Sequence, residues 1–355
     1  MEQVTTIGLD LAKSVFQLHG VDAEGRPILR RQLRRSQMLE VFQRLPACLV
    51  GMEACASAHY WARELTKLGH EVRLMQPSYV KGYVKRGKTD KADAEAICEA
   101  VTRPTMRFVA VKSEDTQALL MTHKAREFLV RQQTQIVNAM RAHLGELGIV
   151  VPKGIHNVER LIVACEQADL PAPARKALGL LADQLIDTQT KIEDLTVDIH
   201  ADAKANKDSQ RLQTIPGIGP ITASALVAAL PDVSDFRSGR DLSASCRRHA
   251  FGVTIGLTPK PHSTGGKDRL GRISKMGNRY LRRLLYLGAV VSKARLRRDA
   301  QVSARRRGQA GEDGLWKIME RKKPKQAAIA LANRMARTAY ALLKKGTEYR
   351  AARPT

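Results

Sequence analysis

Aromatic residues make up only 4% of this 355-residue chain, which argues against recognition of single strands by a platform of stacked rings. Five cysteines, Cys48, Cys55, Cys98, Cys165 and Cys246, form no C-x-x-C pair and no Cys/His cluster with zinc spacing. Reduced and mostly buried thiols are expected. No run of eighteen or more apolar residues occurs, so no membrane-spanning helix and no membrane partner are expected. The first twenty residues, with Asp10 among them, lack the plan of a signal peptide, and the expected location is the cytoplasm, in association with the nucleoid. Acid is short too: 35 Asp+Glu stand against 60 Lys+Arg, a formal net charge of +25. Such an excess is more than solubility needs and points to a polyanion, nucleic acid first. The hydrophobic share of 43% is enough for the cores of two or three domains.

The N-terminal third reads as an α/β unit. Val4 to Leu9 is a short β-branched run ending in Asp10, Ser14 to Val21 alternates as a second strand, and Pro27 to Leu33 supplies a third after the turn Asp22–Gly25. These predict an antiparallel meander. An amphipathic helix capped by Ser36 follows, over Ser36 to Leu45. Cys48 to Met52 is a continuous apolar run of the central-strand kind, with Glu53 directly after it. A helix over Ala58 to Leu68, a strand over Glu71 to Met75 and a break at Pro77 complete the order β-β-β-α-β-α-β. That order resembles the ribonuclease-H-like (RuvC-like) mixed sheet.

Asp90 and Asp93, in G-K-T-D-K-A-D-A-E-A-I-C, stand three apart in an Ala-rich helical segment, which puts both carboxylates on one face. Two acids held so close need a cation or a proton between them, and a hard cation such as Mg²⁺ takes oxygen ligands of this kind. The same residues also fit a solvated helix start, with Thr89 or Asp90 as N-cap and Asp93 complementing the dipole. Asp10 and Glu53 close two strands, so four carboxylates can converge at one end of the sheet, where open α/β sheets place their chemistry. Two divalent ions held there could stabilise both the attacking and the leaving oxygen of a phosphodiester displacement.

Ser113 to Leu147 predicts a long helix with at most one break, and Ala177 to Ala205, with Leu178, Leu181, Leu185, Ile192, Leu195 and Ile199 at near-heptad spacing, predicts a helical arm or coiled coil. That arm suits dimerisation, a nucleic-acid clamp or packing within the chain. In Leu212 to Leu230, the P-G-I-G turn at Pro216–Gly219 between two helical runs fits a helix-hairpin-helix element, whose Gly217 and Gly219 let the backbone approach DNA. Gly256 to Asn278 is a glycine-rich basic loop. Its Ser263 and Thr264 lie among His262, Lys267, Arg269 and Arg272, a field that suits a phosphate, either gripped or attacked by a hydroxyl. From Arg269 to Arg307 thirteen Lys or Arg face one acid, Asp299, the footprint of backbone binding, with Lys275, Arg279, Arg282 and Arg283 as contact candidates. A last helix over Lys325 to Leu343 closes the chain's second core.

Together, G-L-D at 8–10, M-E-A at 52–54, K-T-D-K-A-D-A at 88–94, T-I-P-G-I-G at 214–219 and the G-L-T-P-K-P-H-S-T-G-G-K-D-R-L-G-R-I-S-K-M-G-N-R-Y-L-R stretch from Gly256 resemble the DEDD transposases of the insertion-sequence 110/1111 family, nearest the 1111 subgroup. The resemblance runs from about residue 4 to about residue 345. It implies a RuvC-like DEDD domain (1–112), long helices with a coiled-coil arm (113–207), a mostly α transposase domain with the helix-hairpin-helix and serine loop (208–345) and a tail (346–355). It further implies that Asp10, Glu53, Asp90 and Asp93 bind two Mg²⁺ ions, with Mn²⁺ as a substitute, and that Ser263, or Thr264 in its place, forms a covalent phosphoserine-type link to DNA. The implied partners are double-stranded DNA at element ends and target, a bridge RNA encoded by the element, and further copies of the chain in a dimer or tetramer. In one place the sequence departs from that pattern: Ser245 to Thr254 stand between G-R-D-L-S-A and I-G-L-T-P, where relatives have about one residue. This segment is either a surface insertion or a displacement of Ser263.

Two rival classes fit the same residues. In a RuvC-like nuclease or junction resolvase water attacks and Ser263 only holds phosphate. In a non-enzymatic DNA-binding protein the acids are structural.

Overall fold

The computed structural model describes residues 3–84, 89–230, 232–243, 255–262, 269–307 and 323–350. Ser263, Thr264 and Lys267, and the segment 245–254, lie outside the described residues. The chain divides into two compact units. One comprises residues 1–114, 214–218 and 229–355, and the other 115–213 and 219–228.

The first unit opens with a six-stranded mixed sheet. Strands β1 (Thr6–Leu11), β2 (Val15–Val21) and β3 (Pro27–Arg34) form the expected antiparallel meander, with Leu9 opposite Leu18 and Phe16 opposite Leu33. A 3₁₀ turn at Arg35–Gln37 leads into α1 (Met38–Arg44), so the helix starts later than a cap at Ser36 would put it: Ser36 is taken up by the turn, and Gln37 accepts the backbone N–H of Arg34. Next come β4 (Leu49–Glu53), α2 (Ala58–Lys67), β5 (Glu71–Met75), a short α3 (Pro77–Val80) that begins at Pro77, α4 (Asp90–Val101) and the two-residue β6 (Phe108–Val109). The strand order is β3-β2-β1-β4-β5-β6, with β1, β4 and β5 parallel and the rest antiparallel. Ile7, Leu9, Phe16, Leu18, Val50 and Met52 bury completely beneath Trp61 and Leu65 of α2, while Met75, Ile97 and Val101 fill a second cluster beside α4.

The second unit is helical. α5 (Glu114–Glu146) runs unbroken for 33 residues, followed by α6 (Val158–Gln167), α7 (Ala172–Ala205), α8 (Lys207–Gln213) and α9 (Pro220–Ala229). The C-terminal part of α5 is seated by apolar packing: Ile136, Val137, Met140 and Leu144 pack with Leu161, Cys165, Leu178 and Leu185. Phe128, at the helical spacing that predicts burial, is 59% exposed.

The remainder of the first unit holds α10 (Gly239–Ser243), the antiparallel pair β7 (Pro259–Pro261) and β8 (Leu270–Ile273), α11 (Arg279–Arg307) and α12 (Pro324–Lys345), which ends on Gly346 in the left-handed conformation. α12 buries Ala332, Met335, Ala336 and Ala339 as its periodicity predicts. Tyr340 Oη donates to the carbonyl of Phe236, and the N–H of Tyr349 reaches Thr214 Oγ1, so the tail is held as far as that residue. Among the described residues no helix is long and apolar enough to cross a membrane.

Candidate active site

Parity along the strands decides which face each acid occupies. Successive strand residues point to opposite faces, so Gly8 and Asp10 share a face of β1, as Gly51 and Glu53 share one of β4. The parallel register pairs Gly8 with Gly51 and Leu9 with Met52, which carries Asp10 and Glu53 to the same end of adjacent strands. Helix α4 lies against that face. It comes so close that a Cβ on Gly8 would overlap the carbonyl oxygen of Ala94 and lie 2.7 Å from Cys98 Cβ, and one on Gly51 would lie 2.7 Å from Val101 Cβ. Only glycine permits this approach. Each acid therefore stands two residues beyond a glycine that seats α4, and the first turn of α4 lies over the strand ends. Sequence reasoning found the acids and missed Gly8 and Gly51 as their positioning residues; a G-x-acid pattern on both strands was the available signal.

Thr89 caps α4 by accepting the N–H of Ala92 at 3.3 Å. Asp90 and Asp93 follow in the first turn and are not engaged as the cap. One carboxylate oxygen from each of Asp10, Asp90 and Asp93 lies within 4.8 Å of the others. Burial, then the charges of Asp93 and Asp90, push the Asp10 carboxyl up to about 6. Glu53 is raised by burial and by Asp10 and Asp93. Four acids from three elements thus share one repulsive field, the condition in which a bound cation lowers the energy of the ionised set. The oxygen-only donor set fits a hard divalent ion.

Around the serine loop, the ends of both flanking segments are described. His262 N–H donates to the carbonyl of Arg269 at 2.7 Å, continuing the β7–β8 pairing. The N–H groups of Ile255 and Leu257 donate to the carbonyls of Leu242 and Ser243, at 3.2 and 2.9 Å. These two bonds hold the described residues on either side of the excess segment to each other. Gly256, at φ +67°, packs so tightly on Met276 that a Cβ would overlap its carbonyl oxygen.

The expected nucleic-acid contacts divide by environment. Arg269, Arg272, Lys275 and Arg279 are exposed. Arg282 turns inward: its Nη1 donates to the carbonyls of Ile255 at 2.8 Å and Met276 at 3.4 Å, and burial, with Arg279 nearby, lowers its pKa. Arg283 is half-buried. Gly217, at φ +90°, meets α11: a Cβ there would lie 2.6 Å from the carbonyl oxygen of Gly288. Around Gly219 nothing lies within 4 Å of such a Cβ.

A model of a DEDD transposase of the IS110 type matches residues 7–149, and one described as transposase IS116/IS110/IS902 family matches residues 209–305. The chain is 45% identical to a probable family 20 transposase of Pseudomonas aeruginosa over 98% of its own length and 99% of the relative's. The chain belongs to the IS110/IS116/IS902 family of insertion-sequence transposases. It is also 38% identical to the transposase of insertion sequence IS1328 from Yersinia enterocolitica, across 98% of this chain and 99% of that one. With the IS1111A transposase of Coxiella burnetii the identity is 37%, across 99% and 92%. As a DEDD-type transposase the protein acts on DNA, in keeping with its charge. The matched N-terminal region contains the four acids, and the C-terminal one contains the serine loop and the basic stretch of α11.

Proposed function

We propose that this transposase excises and integrates its element through a divalent-metal acidic centre and a covalent link between Ser263 and DNA. The observation that carries this reading is the convergence of Asp10, Asp90 and Asp93 oxygens within 4.8 Å, from positions eighty residues apart in sequence, with Glu53 in the same field. Asp10, Glu53, Asp90 and Asp93 would hold the cations, with Mg²⁺ as the expected species. Bound there, the metal would neutralise charge on the phosphate and stabilise the leaving oxygen. The strand order β3-β2-β1-β4-β5, with the acids at the ends of β1 and β4, supports a ribonuclease-H-like reading of the sheet.

In the serine step, Ser263 Oγ forms one P–O bond as one P–O bond to a sugar oxygen breaks, so the phosphodiester energy is kept in the protein–DNA link. Thr264 offers the same hydroxyl one position on. The basic residues Arg269, Arg272, Lys275 and Arg279 would hold DNA phosphates near the loop. The turn at Pro216–Gly219, with Gly219 open, serves as a helix-hairpin-helix contact, while Gly217 seats the turn on α11. Acidic centre and serine would come from different subunits of a dimer or tetramer, and a bridge RNA from the element would guide the assembly; these two features rest on family resemblance.

Trapping tests the reading. With Mg²⁺ and element-end DNA, wild-type protein should give an adduct that survives denaturation, absent in Ser263→Ala and in Asp10→Ala. Free cut ends from Ser263→Ala would instead establish attack by water. Sequencing the nucleic acid that co-purifies tests the guide: an RNA encoded beside the gene is expected.

A further inference from the structure

Scarce as aromatic residues are, three of them meet at one place in the sheet. Phe16 and Trp61 pack edge to face with centroids 5.3 Å apart, and Tyr60 stacks on Trp61 in the same way at 5.1 Å. The Arg35 guanidinium sits over both the Trp61 ring, at 5.2 Å, and the Phe16 ring, at 5.9 Å, as a cation–π pair holds it. Tyr60, Trp61 and Arg35 border a cleft of about 740 Å³, with Lys13, Arg34 and Ser36 on its rim. That volume lies in the usual range for small-ligand pockets.

Two features mark the cleft. Trp61, on its wall, is 4% exposed, and its Nε1–H, itself out of solvent reach, has no hydrogen-bond partner among the described residues, an unmet donor that costs free energy. Tyr60 beside it is 40% exposed, an aromatic ring offered to solvent amid three cations. An occupant with a flat π face and negative charge matches the exposed Tyr60 ring and the cations Lys13, Arg34 and Arg35.

The position in the fold narrows the occupant. Lys13 lies in the turn between β1 and β2, three residues after Asp10, and Arg34 ends β3 opposite Val15, so the cleft and the acidic centre occupy the same end of the sheet. Phe16 pairs with Leu11, whose parity is opposite to that of Asp10. The cleft is therefore on the other face, reached from the acids by crossing the β1–β2 turn. We propose that this cleft binds one unpaired nucleotide of the DNA strand whose neighbouring phosphate lies at the acidic centre, the base stacking on Tyr60 and the phosphate held by Lys13 and Arg34. The assignment rests on the acidic-centre reading for its role and deepens it: the enzyme takes DNA that is locally single-stranded at the point of cleavage. Stacking tolerates any base, so the cleft contributes strand geometry and no sequence preference.

Trp61 supplies a local reporter. In full-length protein carrying Trp316→Phe, Trp61 is the single tryptophan. Its emission is followed in EDTA while a short oligothymidylate, a blunt duplex or inorganic phosphate is added. The expected result is saturable quenching by the single strand alone, with the apparent Kd weakened about tenfold by Tyr60→Ala and also weakened by Lys13→Glu, a rim change that leaves the core intact. Equal quenching by duplex or by inorganic phosphate, no quenching at all, or quenching that neither variant alters would overturn the assignment. Because no metal is present, failure here leaves the adduct assay untouched, and failure of that assay leaves this one readable.

Discussion

Gly8 on β1 and Ala94 on α4 touch backbone to backbone, with no room for even a methyl group between them. Helix α4 sits this low, and only so does its first turn bring Asp90 and Asp93 to Asp10. Gly8→Ala should lift the helix at a cost of about 1–3 kcal/mol and abolish strand cleavage. Gly82→Ala, where a Cβ meets nothing within 4 Å, should change neither. Thermal melts and a cleavage assay on both variants test this; an active Gly8→Ala protein would show that the close approach is not needed for the site.

Burial of Asp10, with the charges of Asp93 and Asp90 beside it, makes a prediction for stability. Its folded pKa, about 6, lies above its ordinary 3.8, so ionisation opposes folding: the cost sets in above about pH 4 and is complete above about pH 6. Asp10→Asn removes it. In EDTA near pH 8 the variant should be more stable than wild type by about 1 kcal/mol, a figure reduced because water screens the half-exposed carboxylate, and the gap should close near pH 4. Mg²⁺ should raise the melting temperature of wild type and not of the variant. A variant that melts lower in EDTA contradicts the repulsive cluster.

How far the sequence could be read depends on what each signal encodes. β-branched and apolar runs, with alternation in β2, identified β1 to β5 within two residues at each end because those strands bury one face or both, whereas Phe108–Val109 is too short a strand to show such a pattern. Their places at strand ends were enough to nominate Asp10 and Glu53. Their distance from Asp93 was not written anywhere, since it depends on how deeply α4 seats against Gly8 and Gly51. The charge of Arg282 was equally visible, but an inventory of charges says nothing of acceptors. The backbone carbonyls of Ile255 and Met276 that engage it become neighbours only in the fold. Phe128 shows the converse error: helical spacing marks a face, and only the fold says whether this chain covers it.

Within α7, Gly179 lies in the helix interior with nothing near its missing Cβ. Glycine there forgoes helix propensity without gaining any close approach. Gly179→Ala should stabilise the helical unit by about 0.5–1 kcal/mol, read as a higher denaturant midpoint with unchanged slope. A loss of stability would mean that the position must accommodate something against the helix.

His123 should make the same unit acid-sensitive. It is buried on α5, its Nε2 3.0 Å from Ser224 Oγ, which in turn donates to Asp202 at 2.8 Å. Because the serine proton goes to Asp202, the imidazole is the donor to Ser224. Burial, with Arg126 nearby, lowers the His123 pKa from 6.5 to about 4. A depressed histidine stabilises fully above the unfolded value, and that contribution falls away as pH drops from about 6.5 to about 4. Wild type should lose about 3 kcal/mol more than His123→Gln across this window, measured by denaturation at several pH values. Parallel pH curves for the two proteins would refute the assignment.

Arg279 and Arg282 stand three apart on α11 and should separate binding from stability. Arg279 is exposed; its loss to alanine should leave the melt within about 0.5 kcal/mol of wild type while reducing the salt slope of DNA binding by about 0.9. Arg282 ties Ile255 and Met276 to the helix, so Arg282→Ala strands buried carbonyls at a cost of about 1.5–3 kcal/mol. Its salt slope should be unchanged wherever the protein remains folded. Since Ile255 also bonds back to Leu242 across the ends of the excess segment, the same variant should expose that segment to protease sooner than Arg279→Ala does. An Arg282→Ala protein with native stability and a reduced salt slope would return this guanidinium to the DNA-binding surface and assign the anchoring of the loop to other groups.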